Sequence, residues 1–109
     1  MNLDFMSEVI KIEDEQQLLG MLQEHDAILL AISEEWCSVC RVMEGTLINA
    51  AFELKGKATV LKANVESSQS ISKRITLRSI PAYLVFKEGK VCEVLYGRQT
   101  IQALTKAWY

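Results

Sequence analysis

The sequence lacks the features of a disulfide scaffold, a membrane protein or a nucleic-acid-binding protein. Its 109 residues include three cysteines, one proline and one histidine. Three cysteines are too few, and an odd number, for a disulfide framework, and such a count is usual in a reducing compartment. No run approaches the roughly 18 apolar residues of a membrane span, and the net charge of −2 gives no basic field to attract nucleic acid or anionic lipid. We therefore expect a cytoplasmic protein with neither nucleic acid nor membrane as a partner.

The start of the chain does not read as a secretory signal. Residues 1–6, MNLDFM, have no positively charged end and only a short apolar stretch. Half of all residues are apolar and 24% are charged, as in soluble globular proteins. The length suits one domain with a sizeable core. We expect a single domain over residues 1–109, with residues 1–7 as an N-terminal extension, and a monomer.

Two of the cysteines lie three residues apart, in Trp36-Cys37-Ser38-Val39-Cys40. The apolar run 27–32 before them predicts a strand buried on both faces. Helical spacing follows them, in Val42, Met43, Leu47, Ala50, Ala51 and Leu54. Side chains at i and i+3 of a helix are roughly 5–6 Å apart at Cβ, so two thiols placed this way can come within bonding reach. The pattern places the pair where a central strand gives way to a helix, with Cys37 at the N-terminus of that helix.

The remaining elements alternate between strand and helix. Strands are predicted over residues 8–12, 58–65, 83–86 and 91–96, with a hairpin at 87–90 between the last two. Helices are predicted from acidic residues 13–15 through Leu22, over residues 67–74, and in a closing segment with Ile101, Leu104 and Trp108. This order predicts an α/β fold in which a central mixed sheet of about five strands is flanked by about four helices.

From about Glu8 to Trp108 the sequence resembles the thioredoxin family. Its landmarks, with family-like spacing and no gaps, are Glu35-Trp36-Cys37-x-x-Cys40, Lys62-x-Asn64, Ile80-Pro81, Phe86-Lys87-x-Gly89 and Gly97. The resemblance implies the thioredoxin fold and reversible dithiol–disulfide exchange with disulfide-containing proteins. It implies a thioredoxin-reductase-like enzyme or a small thiol as the reductant, and no metal or organic cofactor.

The resemblance also assigns roles to individual residues. It makes Cys37 the exposed nucleophile and Cys40 the buried resolving thiol. It implies that Pro81 is a cis-proline facing them and that Ile80 offers backbone groups to an extended substrate. The same surface includes Trp36, as a partly exposed platform, together with Ser38 and Val39.

Four positions depart from the usual family pattern. Ser38-Val39 replaces Gly-Pro between the cysteines, Ala31 replaces a buried aspartate, Ser33 replaces a tryptophan and Gly45 replaces a helix-bending proline.

Two of the departures bear on the chemistry of Cys37. Val39 has an N–H that proline lacks, and Ala31 removes a buried acid that would repel a thiolate. Both changes favour the thiolate of Cys37, so we expect a more acidic thiol and a more oxidising disulfide than in a typical thioredoxin. Without the acid, Lys62 is left to solvent or a nearby carbonyl. Slower proton transfer at Cys40 is then expected, giving a less efficient general reductase.

Two other interpretations of the thiol pair are a zinc site and a non-catalytic binding module. A zinc site would need two more ligands, and only His25 and Cys92 remain, at positions without paired spacing. A non-catalytic binding module would keep the fold and use the groove beside Pro81 to hold partners. His25 reads more simply as a solvated loop residue, and Cys92 as a small buried hydrophobic residue.

Overall fold

The computed structural model describes residues 8–109, so the predicted N-terminal extension, residues 1–7, lies outside the described part. Five strands of that part form one mixed sheet in the order β1-β3-β2-β4-β5. β1 and β2 run parallel to β3, whereas β4 runs antiparallel to both β2 and β5. The strands are β1 (Val9–Lys11), β2 (Ala27–Ile32), β3 (Thr59–Ala63), β4 (Ala82–Lys87) and β5 (Lys90–Tyr96). The predicted mixed sheet of about five strands is confirmed.

Five α-helices occur within residues 8–109, one more than predicted. They are α1 (Glu15–Glu24), α2 (Ser38–Val42), α3 (Glu44–Glu53), α4 (Gln69–Ile75) and α5 (Ile101–Thr105), with 3-10 turns at Glu66–Ser68 and Lys106–Trp108. The additional helix arises because the one predicted after the thiols is divided at Met43, which caps both halves.

The break at Met43 corrects one predicted core position. Val42 was expected on the apolar stripe but is 55% exposed. The apolar stripe begins at Met43. Val42 precedes Met43 by one residue, so its side chain lies about 100° around the helix from that stripe. Met43 and Leu47 themselves are buried.

The core lies on both faces of the sheet, because the two central strands have no polar face. On β2, Leu30 packs with the cluster under α1 and α4, while Leu29 and Ala31 pack with the cluster under α3 and α5. The neighbouring strand β4 divides in the same way, with Leu84 on the first face and Tyr83 on the second. Burial on both faces is what the uninterrupted apolar run of β2 predicts.

A β-bulge in the β4–β5 hairpin overturns the prediction for Cys92. Val91 pairs with Phe86 and Glu93 pairs with Val85, so Cys92 has no partner across the ladder. Its side chain is exposed, not buried. The bulge shifts the alternation of β5 by one residue, and β5 is an edge strand whose outer side no other strand covers.

Candidate thiol active site

The thiol pair lies at the edge of the sheet where β2 ends and β4 begins. Because β4 is antiparallel to β2, Ile32 pairs with Ala82, and the chain before β4 reaches the edge from which the thiol loop leaves β2. Cys37 and Cys40 are therefore brought to the same end of the sheet as Pro81, more than 40 residues away in sequence.

Cys37 is the N-cap residue of α2. Its backbone is extended, and its Sγ accepts a hydrogen bond from the backbone N–H of Cys40 at 3.2 Å. The N-terminal end of a helix carries partial positive charge, so a thiolate at this position is stabilised. The additional donor expected from Val39 is absent from the hydrogen bonds of the described residues, because the cap bonds the third helical residue and not the second.

The predicted contrast between an exposed Cys37 and a buried Cys40 is wrong in degree. Cys37 is 8% exposed and Cys40 6%. Cys37 is covered because its sulfur turns back over the first turn of α2 to accept the Cys40 N–H, instead of pointing away from the helix.

The acidity of Cys40 is strongly perturbed by its surroundings. Burial, and then its hydrogen bond with the sulfur of Cys37, raise the pKa of Cys40 to about 11. The backbone N–H of Glu34 and the charge of Lys62 act in the opposite direction. The thiol of Cys40 is thus protonated at neutral pH, and the two sulfurs are close enough to influence each other.

A row of three residues crosses the sheet beneath the thiols. Ala31 on β2 pairs with Lys62 on β3 and with Tyr83 on β4. Ala31 and Tyr83 are each 2% exposed. Burial, and then the charges of Cys40 and Cys37, raise the pKa of Tyr83, so its hydroxyl stays neutral. Tyr83 was missed by the sequence analysis, because strand alternation does not say which face of β4 meets the thiol helix.

A cavity of about 480 Å³ opens beside Cys40. We call it the Cys40 pocket. It has a charged lining, comprising Lys11, Glu34, Glu35, Glu44 and Lys62, and Trp36 forms part of its wall. Because water can enter a polar cavity of this size, the buried thiol of Cys40 has a route to solvent on the side where Lys62 lies.

A second cavity, of about 420 Å³, lies on the other side of Trp36. We call it the Ile80 groove, after the residue that precedes Pro81. Its lining is mostly apolar, with Val65, Leu77 and Ile80 among its walls. The peptide bond between Ile80 and Pro81 is cis. The Pro81 carbonyl accepts the backbone N–H of Gly97 at 2.9 Å, in a turn where Gly97 has φ +73°.

The predicted contact residues around the thiols differ in exposure. Trp36 is 75% exposed and stands between the two cavities. Ser38 is exposed, whereas Val39 is partly buried against the cluster under α3 and α5. Ile80 is partly buried, and Pro81 is buried.

The other candidate metal ligands lie at the opposite end of the sheet. His25 precedes β2, where it is half-buried and lies 3.4 Å from the hydroxyl of Thr59, so it is less solvated than expected. Cys92 follows the β4–β5 turn. Within residues 8–109 no three histidine, cysteine or acidic side chains converge as a metal site would require. No helix of this part is long and apolar enough to cross a bilayer.

Comparison with known sequences gives one family. The family model described as Thioredoxin matches residues 8–108. The chain is 31% identical over 84 residues to a thioredoxin of Rickettsia felis, a match that covers 77% of this chain and 80% of that protein. It is 32% identical over 77 residues to an M-type chloroplastic thioredoxin of Chlamydomonas reinhardtii, covering 71% of this chain but only 55% of the algal protein.

Comparison with solved structures shows the same fold at lower identity. A mutant thioredoxin of Halobacterium salinarum matches with a TM-score of 0.79 and 22% identity, over 92% of this chain and 87% of that one. The oxidised mitochondrial thioredoxin 3 of Saccharomyces cerevisiae matches with a TM-score of 0.78 and 19% identity, over 95% of each chain.

Proposed function

This chain belongs to the thioredoxin family of thiol-disulfide oxidoreductases, and on that premise we propose that it exchanges disulfides with partner proteins through Cys37 and Cys40. The thiolate of Cys37 attacks a partner's disulfide, forms a mixed disulfide and releases the partner's second sulfur as a thiolate. Cys40 then loses its proton and attacks the sulfur of Cys37. The partner leaves as a dithiol, and Cys37–Cys40 is left oxidised. A thioredoxin-reductase-like enzyme or a small thiol supplies the two electrons that reset the pair.

The N-terminal cap of α2 is the observation that carries the two roles. The Cys40 N–H donates to the sulfur of Cys37 at 3.2 Å, which favours a thiolate at Cys37 and suits it to be the nucleophile. Cys40 has a pKa raised to about 11 and stays protonated until the mixed disulfide has formed. That difference suits Cys40 to be the resolving thiol.

The surface beside the thiols suits an extended substrate segment. We propose that Trp36, Ser38 and Val39 contact the substrate from one side and that Ile80 and Pro81 contact it from the other. The position of Ile80 just before β4 supports this role, because backbone groups that lie outside the sheet ladder can form hydrogen bonds with an extended peptide.

The presence of Ala31 instead of a buried acid supports a Cys37–Cys40 disulfide that is more oxidising than that of a thioredoxin with such an acid. Ala31 is 2% exposed and brings no charge beneath the thiols. A carboxylate there would oppose the thiolate, whereas its absence stabilises the reduced form and raises the reduction potential. A tenfold change in the exchange equilibrium corresponds to about 30 mV.

Location and assembly complete the proposal. We propose that the protein acts in the cytoplasm, because its few cysteines fit a reducing compartment. We propose further that it acts as a monomer through the single domain described above. It acts on protein disulfides and uses no metal or organic cofactor.

The test traps the intermediate. In a Cys92→Ser background, which removes the exposed third thiol, Cys40→Ser should accumulate mixed disulfides with disulfide-containing proteins. The matched variant Cys37→Ser should accumulate none and should lose disulfide reductase activity. A trap that forms equally through either cysteine would contradict the assigned order.

The near-complete burial of Cys37 is the one observation that favours a binding module using the groove beside Pro81. In that case partner capture would survive the combined Cys37→Ser and Cys40→Ser substitutions. Loss of capture in that double variant supports the oxidoreductase instead.

A further inference from the structure

The Ile80 groove carries charge of one sign only. Its lining contains two cationic side chains, Lys73 and Arg78, and no acidic residue, although the chain as a whole has a net charge of −2. The acids near Trp36, namely Glu34, Glu35 and Glu44, line the Cys40 pocket. The carboxylate of Glu34 reaches the border of the groove, where it accepts the backbone N–H of Val65 at 2.9 Å.

Both cations are available to a partner. Lys73 and Arg78 are exposed, and Arg78 is held over the ring of Tyr96 at 4.9 Å from the ring centre, which limits its freedom without neutralising it. The carboxylate of Glu15 accepts the backbone N–H of Ser70 at 2.7 Å, and this hydrogen bond, more than the charge of Lys73, lowers the pKa of Glu15. Residues 8–109 contain one salt bridge, Lys106–Glu93, and it does not involve either cation.

A polar group without a partner lies in the same lining. The hydroxyl of Ser72 is buried, and no other group within residues 8–109 satisfies it. A buried hydroxyl without a partner is costly, and a ligand oxygen that accepts its proton would remove that cost. The remaining walls, Val65, Leu77 and Ile80, offer apolar contact.

We propose that the Ile80 groove selects disulfide substrates that carry an acidic residue beside an apolar one, close to the reacting cysteine. This rests on the proposed function, because the groove shares Trp36 and Ile80 with the substrate surface beside the thiols. The carboxylate lies between Lys73 and Arg78 and accepts a hydrogen bond from the hydroxyl of Ser72, which turns toward the groove when the ligand binds. The neighbouring apolar side chain packs against Val65 and Leu77.

The experiment uses disulfide peptides that differ at one test position near the cysteine. That position holds Glu, Gln or Lys, and a leucine stands next to it. The position is moved from four residues before the cysteine to four after, and kcat/KM is measured with dithiothreitol as the reductant. At the best position the Glu peptide should exceed the Lys peptide by about 10-fold, since two exposed ion pairs each contribute a few-fold. The preference should shrink to about 2-fold at 0.5 M salt.

Two groove variants are compared with a matched variant outside the groove. Lys73→Glu combined with Arg78→Glu should reverse the preference. Arg74→Glu lies on the same helix but lines a different cavity, so it should leave the preference within about 2-fold of wild type, because exposed charges remote from the peptide are screened. Ser72→Ala should weaken the Glu preference by about 3-fold, the scale of one lost hydrogen bond.

An uncharged disulfide distinguishes a failure of the groove's selectivity from a failure of the proposed oxidoreductase function. Hydroxyethyl disulfide should be reduced equally by wild type, by the two groove variants and by Arg74→Glu. If wild type reduces it but treats Glu and Lys peptides alike, or if Arg74→Glu alone abolishes the preference, the groove has no such selectivity. If wild type reduces neither hydroxyethyl disulfide nor any of the peptides, the proposed function itself is overturned.

Discussion

The two cavities that meet at Trp36 differ in which sulfur they reach and in the charges that line them. The Cys40 pocket is lined by lysine and glutamate side chains, so it carries charges of both signs. It adjoins the thiol of Cys40, whose pKa is raised. The Ile80 groove is mostly apolar, carries only cations, and adjoins the residues beside Pro81. From this contrast we expect the Cys40 pocket to serve proton transfer and the Ile80 groove to serve partner recognition. Changes in one cavity should then leave the function of the other intact.

The largest expected effect is the pH dependence of the resolving step. In the dithiol the pKa of Cys40 is raised to about 11, first by burial. Burial also acts in the mixed disulfide, so the reactive thiolate of Cys40 is scarce at neutral pH and grows as pH rises. The rate at which Cys40 displaces a group bound to Cys37 should increase about 100-fold between pH 7 and pH 9, if thiolate is the attacking species. The measurement is release of thionitrobenzoate from its mixed disulfide with Cys37, in a Cys92→Ser background. A rate that is flat over this range would show that proton transfer at Cys40 is not limiting.

The next effect tests the row beneath the thiols. Ala31→Asp should lower the reduction potential by about 30–60 mV, because the new carboxylate opposes thiolate and so destabilises the reduced form. It should also speed insulin reduction by dithiothreitol, by giving Cys40 a proton acceptor. The uncharged Ala31→Asn is the control and should do neither. Equal shifts in both variants would attribute the effect to packing and not to charge.

A smaller effect would separate the two cavities directly. Lys62 lowers the pKa of Cys40, so Lys62→Met should raise that pKa further and slow resolution at pH 7 by about 2- to 5-fold, as expected for one partly screened charge. Lys11→Met, in the same pocket, should have less effect. Neither should change the peptide preference of the Ile80 groove. A changed preference in Lys62→Met would mean that the two cavities act together.

The smallest effect concerns the backbone that leads into the Ile80 groove. Thr76 ends α4 with φ +54°, a left-handed conformation that is unfavourable for a β-branched residue. Thr76→Gly should raise the free energy of unfolding by about 0.5–1 kcal/mol, the strain removed less the entropy that glycine adds. Thr76→Ala keeps its Cβ and should gain little. The free energy of unfolding is measured by urea denaturation, with the same m value for all variants. Equal gains in both variants would contradict the claim that Thr76 is strained.

Much of the fold was predictable because it depends on short-range patterns. The apolar run of β2 is predicted at the observed bounds, residues 27–32, since its residues are buried on both faces. The helix after the thiols was less accurate. Its break at Met43 depends on how α2 and α3 approach the sheet, which periodicity does not express. Val42 was placed on the apolar stripe although it lies about 100° around the helix from Met43, and it is exposed.

The candidate site was predictable as a motif but not as an environment. The placement of Cys37 at the start of α2 follows from the strand before it and the helix after it. The expected Val39 donor did not form, because the N-cap side chain reaches the third residue and not the second. The exposure of Cys92 was missed, because the bulge shifts the alternation of β5 at that residue, and nothing in the sequence of β5 marks where the bulge lies.

The sequence by itself determined the order of the strands and helices and the place of the thiol pair at a strand-to-helix junction. Local spacing is enough to specify both. Only the tertiary structure decided that Ala31, Lys62 and Tyr83 form one row under the sulfurs, and that Trp36 stands between two cavities of different charge. These facts depend on the register and approach of segments that are distant along the chain, and packing between them sets the acidity of Cys40 and the shape of the surface that a partner would meet.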